Sequence, residues 1–211
     1  MSARRIISLL AILSFFAISG LAQTIEYDEP VQLTFNVAGT MNIYPFPAWN
    51  GSEWAVTYMR FYGEATVHIA RCTADGYLIE GHELFGKEKD YGYFVPKISP
   101  YEKGWAMVVS RRRYSDQGND SSDYFVLLNN KARKTGVEAN LFAHQRGNSL
   151  KPIPVGEMFV VFYRKQTGNG FDGIYMAYIN RDGKRVIPDV QVTTPVGESH
   201  FPLCVTPTSE G

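Results

Sequence analysis

A unit of about fifty residues recurs three times along this chain and then begins a fourth time. Pro47, Pro96, Pro152 and Pro202 each open a short apolar stretch, at spacings of 49, 56 and 50 residues (47 to 96, 96 to 152, 152 to 202). Behind each of the first three comes a short turn and a strongly apolar run: Trp54-Ala-Val-Thr-Tyr58, Trp105-Ala-Met-Val-Val109 and Met158-Phe-Val-Val-Phe-Tyr163. A polar loop and a second run follow, Thr66-Val-His-Ile-Ala70, Tyr124-Phe-Val-Leu-Leu128 and Ile174-Tyr-Met-Ala-Tyr178. A hairpin signal comes next, Asp75-Gly76 in the first copy and Asp182-Gly183 in the third, with Asn129-Asn130-Lys131 in its place in the second. A last short strand, such as Val190-Gln-Val-Thr193, closes the unit.

Four short strands per unit at this period predict an all-β chain of propeller-type blades. One small sheet cannot bury both of its faces alone and must stack on its neighbours. The expected blades cover residues 43–94, 95–149 and 150–200, each a four-stranded antiparallel sheet, with 201–211 starting the next. A β-sandwich uses similar strands and is the alternative. Pro30-Val-Gln-Leu-Thr34 resembles Asp189-Val-Gln-Val-Thr193, which predicts an orphan outer strand at 30–36 that closes a ring. Closed rings use about four to eight blades. The chain is therefore expected to be C-terminally incomplete, with further blades or domains beyond Gly211.

Arg4 and Arg5 precede an unbroken apolar segment from Ile6 to Ile18, and Gly20-Leu-Ala22 supplies small residues for cleavage. Residues 1–22 read as a signal peptide, too short to span a bilayer and with no second apolar segment after it. The expected location is secreted or periplasmic, with residues 23–211 as the mature part and no membrane span in it. Without residues 1–22 the balance is 19 basic against 21 acidic residues, since only Arg4 and Arg5 are removed. That balance argues against nucleic acid as a partner, because phosphate binding needs a basic surface. Cys72 and Cys204 fall in different units and are expected to remain unpaired.

The run Phe159-Val-Val-Phe-Tyr-Arg-Lys-Gln-Thr-Gly-Asn-Gly-Phe-Asp-Gly-Ile-Tyr175 resembles the secreted bacterial β-propeller repeats of large extracellular and periplasmic proteins. The resemblance covers roughly residues 30–211. It implies fold rather than activity, because such repeats serve as ligand-binding modules, enzyme scaffolds and docking surfaces alike.

An arginine recurs where the second strand ends: Arg60, Arg111 to Arg113, and Arg164. An acid recurs where the third begins: Glu64, Asp123 and Asp172. Cross-strand ion pairs are the expected reading; the sharper one is a ring of guanidinium groups facing an anionic ligand. On the same rim fall Phe61, Tyr62, Tyr91, Tyr93, Tyr114 and Phe171, aromatic faces beside arginines that suit a sugar, a carboxylate or a protein. The candidate ligand-binding set is Arg60, Tyr62, Arg111, Arg113, Tyr114, Arg164 and Phe171. The opposite rim is expected to offer mostly turn residues such as Asn50-Gly51 and Asp182-Gly183.

The loop Ser115-Asp-Gln-Gly-Asn-Asp-Ser-Ser-Asp123 has oxygen ligands but not the spacing of a calcium loop, and reads as a solvated tip. His68, His82, His144 and His200 form no metal-ligand pattern, and no catalytic elbow occurs. No catalytic residue, metal or cofactor is assigned. Asn50-Gly-Ser52 and Asn119-Asp-Ser121 match the glycan acceptor pattern but are turn formers in their own right. The expected function is a non-enzymatic secreted or periplasmic binding or interaction module with a protein or carbohydrate partner. The alternative is part of an extracellular, glycosidase-like propeller enzyme.

Overall fold

The six apolar runs of the three units, from Trp54–Tyr58 to Ile174–Tyr178, are all strands, and hydrogen bonding gathers the strands in fours. The structure, a computed structural model, describes residues 32–33, 38–102, 104–114, 121–143, 149–166 and 172–198. The first sheet contains β1 (Met41–Trp49), β2 (Trp54–Tyr62), β3 (Glu64–Cys72) and β4 (Leu78–Phe85). The middle sheet contains β5 (Tyr91–Tyr101), β6 (Gly104–Arg113), β7 (Ser121–Asn129) and β8 (Lys134–Ala143). The third contains β9 (Ile153–Val155), β10 (Met158–Gln166), β11 (Asp172–Asn180) and β12 (Val190–Gln191). Each is an antiparallel meander in chain order, and no strand passes from one sheet to another. Among the described residues there is almost no helix, and none long and apolar enough to cross a membrane. The expected closing strand at 30–36 lies outside the described residues except for Gln32 and Leu33, which are not in a strand.

Pairing register and burial define how the sheets stack. In a strand, successive side chains point to opposite faces. From β6, Trp105, Met107 and Val109 join Val126 and Leu128 of β7 in a core shared with Ala55, Val67 and Ile69 of the first sheet. The alternate residues Ala106, Val108, Phe125 and Leu127 form a second core with Phe159, Val161, Tyr163, Ala177 and Ile179 of the third sheet. The middle sheet is thus covered on both faces, which is why its strands read as unbroken apolar runs. Trp54, Trp105 and Phe159 start equivalent strands, so one rule orders the stack. The face bearing Trp105 packs on the preceding sheet, and the face bearing Ala106 receives the following one. Phe159 and Val160 repeat this: Phe159 faces the middle sheet, and Val160, Phe162, Met176 and Tyr178 share the other face of the third sheet.

Bulges refine the repeat. Register slips between Ile43 and Phe46 in β1 and between Phe94 and Lys97 in β5, with Tyr44 (φ 55°) and Val95 (φ 49°) in the left-handed region. Pro45, not Pro47, therefore corresponds to Pro96. The sequence spacing slid by two residues, a slip that keeps each side chain on its own face and so leaves the apolar pattern intact. β5 also starts at Tyr91, ahead of the expected unit start at residue 95, because the bulge lies inside the strand rather than before it. Thr57 Oγ1 donates to the Pro96 carbonyl at 2.8 Å, tying the middle sheet's bulge into the first core.

The third hairpins are geometrically alike despite unlike sequences. The nitrogens of Thr73, Asn129 and Asn180 donate to the carbonyls of Tyr77, Arg133 and Lys184, each at 2.9 Å. Gly76, Ala132 and Gly183 close the turns at positive φ. Ala132 adopts this at φ 56° with no glycine, at a local cost of about 1–2 kcal/mol. Its burial in the first core and its carbonyl, 3.1 Å from His82 Nε2, hold it there. Gly183 sits so close to β8 that a Cβ would lie 2.8 Å from that of Ala139. The hairpins of the second and third units therefore both tuck against the outer strand of the sheet before.

Candidate functional site

The turns of the stack gather at two edges. One edge carries the β2–β3 and β6–β7 turns and holds most of the residues singled out by sequence. Tyr114, at the end of β6, reaches the first sheet, where its hydroxyl accepts the Ala65 N–H at 2.6 Å. Its ring lies over Gly92: a Cβ there would be 2.4 Å from the Tyr114 hydroxyl and 2.9 Å from Phe94. Arg111 is clamped, with its guanidinium 3.6 Å from the Tyr91 ring centroid and paired with both carboxylate oxygens of Glu88. Glu88 also accepts the Tyr93 hydroxyl at 2.8 Å. The Arg111 guanidinium holds the Glu88 carboxyl below the usual carboxylate range, and burial raises the Tyr93 phenol.

Arg60 and Arg164 are engaged as well. Arg60 Nε donates to Asn42 Oδ1 at 3.1 Å, and Arg164 Nε pairs with Asp172 at 3.2 Å. The predicted cross-strand arginine–acid pair therefore forms at Arg164 in the third unit. In the first, Glu64 pairs with Lys87 at 3.3 Å instead. In the second, Asp123 is buried and accepts hydrogen bonds from Ser110 and Ser149, while Arg111 turns to Glu88. Arg113 and Tyr62 are exposed, Tyr62 at 60%, with its ring against Gly39. Phe171 and most of the 115–123 loop lie outside the described residues. The arrangement draws Tyr62 and Tyr114 together around the β2–β3 turn. Arg60, Arg111 and Arg164 each close on a neighbour within their own sheet or its connection.

The opposite edge departs from its expected plainness. An open groove of about 460 Å³ runs between the first and middle sheets there. The β1–β2 turn contributes Trp49, Asn50 and Ser52; the β5–β6 turn contributes Tyr101 and Glu102; the β7–β8 hairpin contributes Asn130. Trp49 rests on Trp54 with centroids 5.2 Å apart, and both rings remain 37% exposed. Asn50 folds its side chain onto its own turn, Oδ1 accepting from Ser52 N at 2.9 Å, Ser52 Oγ at 3.1 Å and Glu53 N at 2.8 Å. The Asn50-Gly51 pair thus acts as a turn former, with Gly51 at φ 100°. The sequence signal that marks this groove is the Trp49/Trp54 bracket around a tight turn.

Elsewhere the polar groups are internal fastenings. Arg71 binds Glu53 at 2.5 Å and Glu80 at 2.7 Å; the Arg71 bond, with a second from Arg133 of the middle sheet at 2.9 Å, holds the Glu80 carboxyl below the usual range. His68 is buried, stacked on Tyr58 at 5.5 Å and 3.0 Å from Thr66 Oγ1. Burial, with the Arg60 charge adding to it, depresses its pKa to about 4, so it is neutral in the fold near pH 7. Lys97 donates to the Ser149 carbonyl beside Asp123, and burial lowers its pKa. Cys72 is a buried free thiol. Among the described residues, no group of three or more His, Cys, Asp or Glu side chains is placed to hold a metal ion. The sequence matches no protein-family model and no curated protein at a significant level.

Proposed function

We propose that this chain is an extracytoplasmic binding module of the propeller type, in which sheets stack in chain order and turn edges present the ligand site. What supports the reading is the repeated face rule: each Trp105-type face packs on the sheet before, and each Ala106-type face receives the sheet after. The Val160-type face of the third sheet carries Val160, Phe162, Met176 and Tyr178, apolar like the two faces already covered, and no described sheet lies on it. Contacts that are the same at every step but not mutual turn about an axis and close when the rotation allows. Further sheets of the same kind, in this chain or a partner, are the occupants such a face fits. The partner bound at the edges is a protein or a carbohydrate, and residues 1–22 act as the export signal.

The test is electron microscopy of the protein purified from the extracytoplasmic fraction. A ring of radially arranged sheets around a channel supports the reading. A flat two-sheet sandwich, or sheets that exchange strands between units, overturns it.

A further inference from the structure

We infer that the outer face of the first sheet receives the outer face of the third sheet of a second copy of this chain, so that two copies close one ring. The inference rests on the propeller reading and adds to it the partner and the number of copies. One cross-strand row recurs in each sheet. In the middle sheet it runs Pro100, Trp105, Leu128, and in the third Pro154, Phe159, Ile179. Residues paired across strands share a face, and this face packs on the preceding sheet. Trp105, Leu128 and Ile179 are fully buried there, and Phe159 is nearly so. In the first sheet the row is Trp49, Trp54, Cys72, on the face turned away from the middle sheet. No described sheet precedes it, and both indoles stay 37% exposed. Large rings left open where their counterparts are sealed mark an interaction face. The same face continues through Val56, Tyr58 and Ala70, which with Leu33 line a largely apolar cavity of about 220 Å³.

The internal steps show what such a row packs on. Trp105 shares a core with Ala55, Val67 and Ile69 of the first sheet, and Phe159 with Ala106, Val108 and Phe125 of the middle one. Among the described residues, the face of that second type with no sheet on it is the one bearing Val160, Phe162, Met176 and Tyr178. It cannot close on the first sheet of its own chain, because three sheets fall short of the roughly four that a ring needs. A second copy can supply it. The contact is head to tail and occurs twice, each first sheet meeting the other copy's third. Six is the only multiple of three between about four and eight, the usual blade numbers, and six sheets are two chains. The internal steps also pair rings across sheets, Phe85 with Tyr93 at 4.6 Å and Phe125 with Phe159 at 5.1 Å. Phe162 and Tyr178 give the new step the same means against Trp54 and Tyr58.

The experiment is sedimentation velocity of the chain purified from the extracytoplasmic fraction, over a wide range of concentrations. The expected species is a dimer. Trp54→Glu sets an unpaired charge in the new contact from one side, and Met176→Glu does so from the other, so each should shift the dimer to monomer. Neither side chain is fully buried in the single chain, so native circular dichroism should persist. Mixed in equal amounts, the two variants should pair again, because one keeps an intact first sheet and the other an intact third. Should Trp54→Glu lose the native signal, Trp49→Glu at the end of the same row takes its place. Tyr62→Ala, at the β2–β3 edge, should remain dimeric. A monomer at every concentration, a dimer that survives Met176→Glu, or no recovery on mixing would overturn the inference. A monomer that microscopy shows as a ring removes the second copy and leaves the propeller reading standing; a flat sandwich removes both.

Discussion

The two edges of the stack hold similar residue types and use them differently. At the β2–β3 edge, Tyr114 hydrogen-bonds the neighbouring sheet, Arg111 is pinned between Tyr91 and Glu88, and Arg164 is paired with Asp172. These side chains fasten strands and sheets, so their polar groups are already committed. At the β1–β2 edge, Trp49 and Asn130 are exposed and line a groove, while the bonds that stiffen it stay within the Asn50 turn. An aromatic next to an arginine is thus no guide to binding until the partners of both are known. Exposure combined with a rigid support is the better guide.

The comparison can be broken at the fastening edge first. Gly92→Ala should have the largest effect, because the added methyl occupies the space of the Tyr114 ring and the bond to Ala65 must be given up. Overpacking of this kind costs about 2 kcal/mol, read as a lower denaturation midpoint with an unchanged slope. A neutral Gly92→Ala would show that Tyr114 is not a fastener.

A smaller effect is expected from acid. Arg111 depresses the Glu88 pKa in the folded chain, so the pair's contribution is full above the unfolded value of about 4.5 and is lost as pH falls through the lower folded value. The wild-type chain should be more stable than Glu88→Gln at pH 7, and the gap should narrow steadily under acid. A gap that stays constant with pH would mean that the charge of Glu88 contributes nothing.

Much of this fold is legible in the residues themselves. Trp105 to Val109 and Phe125 to Leu128 are apolar without alternation because both faces of the middle sheet are buried, and that pattern announces stacked sheets. The turn at Asn129 was less legible: Ala132 takes a left-handed conformation with no glycine to signal it, held by packing that only the folded chain supplies. The arginine partners were hidden for a related reason. Glu88 sits 23 residues before Arg111 in the connection between two sheets, so cross-strand spacing pointed to Asp123 instead. Asp123 itself is satisfied by Ser149, 26 residues away. The groove draws on three turns, near residues 50, 102 and 130, and strand periodicity says nothing about which turns meet. The Trp49/Trp54 bracket was the one local cue.

Urea unfolding of the triple variant Tyr62→Ala, Tyr114→Ala, Arg164→Ala, beside Tyr62→Ala alone, tests the division of labour most directly. The account predicts that the triple variant loses about 2 kcal/mol or more, since it strands the Ala65 N–H and removes the Arg164–Asp172 pair. Tyr62→Ala alone should stay within about 0.5 kcal/mol of wild type, because the Tyr62 side chain is 60% exposed. A triple variant as stable as the wild type would contradict it, returning Tyr114 and Arg164 to the set of residues held ready for a ligand.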